Sequence, residues 1–197
     1  MSTLPTRDKL IAAMADALQR KGLHGVGLTE LLANAQAPKG SLYHHFPGGK
    51  TELAVAAIEQ IGSGIDAFFA HLFARHPEPL DAMQRWLSST LQQLESSQFE
   101  RGCPLATVAL ESSPEDVEIR AALAACFTRL RTALAAQLTR VGYAAEAAEN
   151  FANLFVSLYE GGLLQARVAG SREPLVRATD ALFELLRHYP RENRHEA

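Results

Sequence analysis

The feature that most constrains this chain is a spacing. After Ser113-Pro114-Glu115-Asp116 the apolar residues Ile119, Leu123, Phe127, Leu130, Leu134 and Leu138 fall three or four apart. Such a run lies along one stripe of an α-helix and along no face of a strand. The same spacing recurs through most of the sequence. No segment alternates apolar and polar with period two, and β-branched residues are sparse. The expected fold class is all-α, with about nine helices.

Local signals set the expected boundaries. The first helix runs from about Arg7 to Lys21, capped by Thr6, with Asp8 in its first turn and Gly22 as its stop. The next two run from about Leu28 to Ala35 and from Lys39 to about His45, the latter after Pro38. Phe46-Pro47-Gly48-Gly49 breaks the chain. A long helix then spans about Lys50 to Ala74. Others cover about Leu80 to Ser96, Leu105 to Glu111, Ala145 to Ala169 and Glu173 to His188. Between these, Ser113-Pro114-Glu115-Asp116 reads as the strongest start signal, with a cap, a proline and two acids, and Gly142 ends the helix it opens. A change of character at Pro47–Lys50 suggests two domains, 1–49 and 50–197.

Composition narrows the class. With 47% apolar and 21% charged residues in 197, the chain can bury a core and is not a disordered segment. Two cysteines exclude a disulfide scaffold. The first residues carry no leader-like apolar run, and no stretch approaches the roughly 18 uninterrupted apolar residues of a membrane span. The expectation is a cytoplasmic protein without a membrane partner.

The net charge of −3 is unevenly spread. The first fifty residues hold Arg7, Lys9, Arg20, Lys21, Lys39 and Lys50 against Asp8, Asp16 and Glu30. All the lysines lie there, and the rest of the chain is acidic. A basic head on an acidic body suits a nucleic-acid contact.

Residues 27–46 read as two short helices joined by a tight turn. Leu28, Leu31, Leu32, Leu42 and Phe46 can pack the pair against the first helix. Thr29, Lys39, Ser41, Tyr43 and His44 suit phosphate and base-edge contacts, and Gly40 lets backbone come close. Gln36 stands in the turn, where glycine would be the unstrained choice.

At these residues the chain resembles a known family. Pro38-Lys-Gly-Ser-Leu-Tyr-His-His-Phe-Pro-Gly-Gly-Lys50 resembles the recognition-helix signature of the TetR/AcrR repressors. Gly102-Cys-Pro-Leu-Ala-Thr-Val-Ala-Leu-Glu111 and Glu160-Gly-Gly-Leu-Leu164 resemble the YxaF/LmrA-like branch. The resemblance implies an N-terminal three-helix helix-turn-helix DNA-binding domain and a C-terminal helical ligand-binding and dimerisation domain. It implies a homodimer bound to double-stranded operator DNA and released by a small hydrophobic or aromatic effector. It places Thr29, Lys39, Gly40, Ser41, Tyr43, His44 and Lys50 at the DNA.

Other chemistries find little support. Gly49-Lys50-Thr51 suggests a phosphate loop, but position 44 is His where the motif needs Gly, and no strand precedes it. Adjacent His44 and His45 point about 100° apart on a helix and cannot share a metal. Neither Cys103 nor Cys126 has ligand spacing to another cysteine. No nucleophile elbow or paired carboxylates stand out. No enzyme, cofactor or metal is expected.

The body is aromatic. Phe69, Trp86, Phe127, Phe155 and Tyr159 lie on four long helices, where they read either as core or as walls of an apolar cavity; the resemblance favours the cavity. The Lys50–Ala74 helix, twenty-five residues and roughly 37 Å long, could link such a cavity to the head. Leu154, Leu158, Gly161, Gly162, Leu182, Phe183 and Leu186 suggest a four-helix dimer contact. The residues themselves leave one alternative open, a helical small-molecule-binding protein without operator-specific DNA binding.

Overall fold

A computed structural model describes residues 4–192. Among the described residues the chain forms nine helices and no strand. They are α1 (Thr6–Lys21), α2 (Leu28–Asn34), α3 (Ser41–His45), α4 (Gly49–Arg75), α5 (Pro79–Ser96), α6 (Pro104–Glu111), α7 (Val117–Arg140), α8 (Ala145–Ala169) and α9 (Glu173–His188).

Two compact units divide them: Met1–Gly64 with Cys103–Cys126, and Ile65–Gly102 with Phe127–Ala197. Helices α4 and α7 therefore contribute residues to both.

In the first unit α1 packs on α2, α3 and α6. Leu10, Met14 and Leu18 of α1 are fully buried, as are Leu53, Ala54, Ala57 and Ile58 of α4. Truncating such a side chain costs about 2–5 kcal/mol. Helix α6 ends against the α1–α2 connection. There the Glu111 carboxylate accepts the His24 backbone N–H at 3.0 Å. Gly22 has φ +70° and ψ −175°, a backbone conformation that favours glycine, and a Cβ on it would have to displace the Glu111 carboxylate, whose Oε1 would lie 2.0 Å away.

In the second unit α8 and α9 make the most extensive helix pairing. Gly162 allows their approach: a Cβ there would lie 2.8 Å from Leu175 Cδ1 and 3.0 Å from Leu175 Cα. The Tyr143 hydroxyl, buried, donates to the Leu186 carbonyl at 2.7 Å and ties the α7–α8 corner to α9.

Four helices end in one backbone pattern. After α2, the Ala37 N–H reaches the Leu32 carbonyl and the Gln36 N–H reaches that of Ala33. Gln98 and Phe99 repeat this after α5, Gly142 and Tyr143 after α7, and Gly170 and Ser171 after α8. This double closure needs a left-handed residue. Glycine supplies it at 142 and 170, whereas Gln36 (φ 51°) and Gln98 (φ 53°) adopt it with a side chain.

Several expected boundaries shift. Pro5, not Thr6, precedes α1, and Thr6 is already helical. Helix α7 opens at Val117 rather than at Pro114. The Asp116 carboxylate accepts the Ser113 N–H at 2.8 Å and the Ser113 hydroxyl at 2.9 Å, closing a turn over residues that would otherwise start the helix. Its buried stripe runs through Cys126 instead of Phe127. By length and composition α4 is the one helix among the described residues able to cross a membrane. Its apolar run includes the buried core residues Leu53, Ile58 and Phe69.

Candidate nucleic-acid interface

Helix α3 is only five residues long because its start is pre-empted. The Pro38 carbonyl takes both the Ser41 N–H at 3.0 Å and the Ser41 hydroxyl at 2.6 Å. Lys39 and Gly40, expected inside this helix, therefore form the turn that leads into it. Leu42 and Phe46 point inward and are 1% exposed. That orientation turns Tyr43 and His44 outward, and Tyr43 is 61% exposed.

Thr29, Lys39, Gly40, Tyr43 and His44 are exposed, while Ser41 and Lys50 are half-buried. All seven expected DNA-contact residues thus keep solvent access. The edge of the Tyr43 ring comes close to the start of α4. Gly49 has φ +69°, and a Cβ on it would lie 3.3 Å from Tyr43 Cε1. The exposed His44 ring meets His45 edge-on at 4.8 Å. Lys21 is engaged by Glu30 at 2.6 Å and Arg7 lies over the Phe46 ring, 5.2 Å from its centroid, while Lys39 and Lys50 flank α3 in sequence.

The sequence profile of transcriptional regulators with an LmrA/YxaF-like C-terminal domain matches residues 79–181. That of bacterial regulatory proteins of the tetR family matches residues 10–57. The chain belongs to the TetR family. Members of this family are DNA-binding transcriptional regulators, and helix-turn-helix segment α2–α3 lies within the N-terminal match. The TetR-family chain is 27% identical to the transcriptional regulator LmrA of Bacillus subtilis over 95% of its own length and all of LmrA. Among solved structures it is similar to a regulatory protein TetR from Rhodobacter sphaeroides, with a TM-score of 0.79, 26% identity and coverage of 93% and 98% of the two chains. It also shares its fold with CifR, a TetR-family regulator solved as a cysteine mutant on 26-bp operator DNA, with a TM-score of 0.76, 22% identity and coverage of 96% and 100%.

In the second unit, four of the five expected ligand-wall aromatics meet. Trp86 stacks on Tyr159 at 4.4 Å, meets Phe69 edge-on at 4.6 Å and lies 5.2 Å from Phe155. Trp86 is half-buried and the other three are buried. The Tyr159 hydroxyl lies 3.3 Å from Thr90 Oγ1, a polar neighbour that spacing did not reveal. Phe127 does not join them. It is half-buried and makes no ring contact with the four among the described residues, because α7 buries Leu123, Cys126 and Leu130.

The expected dimer residues separate into two groups. Leu182, Phe183 and Leu186 are at most 1% exposed, and Gly162 faces Leu175, so these four serve the chain's own α8–α9 contact and present no surface. Leu154 is exposed, and Leu158 and Gly161 are half-buried. Val168, which the spacing also offers for this pairing, is exposed, as are Leu164 and Leu185, which the sequence reading left out.

Proposed function

We propose that this TetR-family regulator is a cytoplasmic, ligand-responsive repressor that reads a palindromic operator as a homodimer. The observation that carries this reading is the two-sidedness of α3, with Leu42 and Phe46 buried and Tyr43 and His44 exposed beside Lys39. Tyr43, His44 and Ser41 would meet base edges, and Lys39, Lys50 and Thr29 phosphates. Two such helices a turn of DNA apart require a symmetric reader. Exposed Leu154, Leu164, Val168 and Leu185 offer an apolar surface for the pairing.

The Phe69, Trp86, Phe155 and Tyr159 cluster suits a small hydrophobic or aromatic effector, with Thr90 and Tyr159 as its polar edge. Helix α4 carries both Lys50 and Phe69, so effector contact at Phe69 has a continuous helix along which to act. The test is an anisotropy titration of the full chain on duplex DNA from its gene's upstream region, with a scrambled duplex as reference. Selective binding that an aromatic effector weakens is the expected result. Equal affinity for both duplexes would overturn it.

A further inference from the structure

The first turn of α4 carries an acid, Glu52, beside a surface that otherwise favours anions. Glu52, two residues beyond Lys50, is exposed. Its Oε2 accepts the Gly48 backbone N–H at 2.7 Å. Gly48 leaves room for this, since a Cβ there would lie 3.2 Å from both Glu52 Cβ and Oε2. The next residue, Gly49, has φ +69°, and a Cβ on it would lie 3.3 Å from Tyr43 Cε1. Within the ten residues from Tyr43 to Glu52 the chain therefore sets a carboxylate on one amide, a left-handed glycine and an aromatic side chain whose edge comes close to that glycine.

From this geometry we infer that Glu52 is a positioning residue for operator discrimination, holding the Pro47–Gly49 turn so that Tyr43 and Lys50 are presented together. The inference rests on the recognition surface proposed above. Two effects of the carboxylate have opposite signs. As a charge near Lys50, within about the 8–10 Å screening length of physiological salt, it opposes phosphate and weakens binding to any duplex. As an acceptor on Gly48 it removes freedom from the turn that supports Tyr43, which matters only where bases are read. A carboxylate serving merely as a helix-start charge would give only the first effect together with a loss of stability. Discrimination between sequences separates the two roles.

The experiment uses the full chain and two duplexes, one enriched by the wild-type protein from a random-sequence pool and one scrambled from it. In Glu52→Ala, affinity for the enriched duplex should fall about tenfold while affinity for the scrambled duplex holds or rises. Glu52→Gln keeps an acceptor oxygen without the charge. It should retain the wild-type ratio of the two affinities and bind both duplexes at least as tightly. A ratio unchanged in Glu52→Ala would overturn the inference, and so would a Glu52→Gln ratio that falls as far as that of Glu52→Ala. Lys50→Ala is the control for the underlying surface: it should weaken both duplexes and lower the salt slope by about one. If Lys50→Ala changes neither, the recognition surface itself is misplaced, a failure distinct from that of Glu52. If no duplex is enriched, both readings fall.

Discussion

Glu111 and His24 are 87 positions apart in sequence and joined twice, through the His24 N–H on Glu111 Oε2 at 3.0 Å and through His24 Nε2 beside the Glu111 carbonyl at 3.3 Å. The last residue of α6 thereby closes the corner between α1 and α2. Glu111→Ala should cost about 1–2 kcal/mol in chemical denaturation, since a charged acceptor is lost from a backbone amide. Hydrogen exchange at the His24 amide should accelerate. An unchanged exchange rate would show that solvent replaces the carboxylate freely.

Gln36 and Gln98 hold left-handed positions that glycine takes without strain. Gln36→Gly and Gln98→Gly should each raise stability by about 0.5–1 kcal/mol, read as a higher denaturant midpoint at constant slope. A lower midpoint would mean that the side chains contribute contacts worth more than the strain.

Gly162 and Val168 lie on the same helix and should fail differently. Gly162→Ala pushes a methyl to 3.0 Å from the Leu175 Cα, a backbone atom that cannot swing aside. Loss of thermal stability is expected, in the range of about 1–3 kcal/mol. Val168→Glu, at a residue 83% exposed, should leave folding intact and weaken self-association in sedimentation if α8 and α9 form the dimer contact. Unaltered association would move the interface off Val168.

Asp116 is held below the usual carboxylate range by the Ser113 N–H first and the Ser113 hydroxyl second. A carboxyl whose folded pKa is depressed stabilises the protein above its unfolded value, and that contribution fades as pH falls through the folded value. Stability should therefore decline on the acid side of the ordinary aspartate range, about pH 4. Asp116→Asn should flatten that decline, measured as denaturation midpoints across an acid titration. A parallel decline in the variant would assign the acid loss to other groups.

Much of this was legible in the residues, and the misses have physical causes. The three-and-four spacing located every helix because core burial in an all-α chain leaves that period in the sequence. It misjudged the α7 stripe at one step: Cys126 and Phe127 both fit the spacing, and the larger residue was the natural choice. The same bias placed Leu182, Phe183 and Leu186 between subunits. Sequence shows that such residues are buried but not whether their own chain buries them. That Tyr43 and His44 face solvent was readable because the buried Leu42 and Phe46 fix which way their neighbours on α3 point. Thr90 and Glu111 left no local trace. Their partners, Tyr159 and His24, are 69 and 87 residues away.

That distance bears on how DNA specificity could be transplanted between relatives. A graft cut at residue 49 would carry α1 to α3 into a foreign body and leave Glu111 behind. The Gly22 notch and the His24 amide would then meet whatever side chain the recipient has at that place. Unless the recipient has a carboxylate there, the graft would inherit a recognition helix on a loosened corner. The heritable piece is discontinuous, the head together with the α6 residue that latches it, and chimeras that exchange both should outperform those that exchange the N-terminal stretch alone.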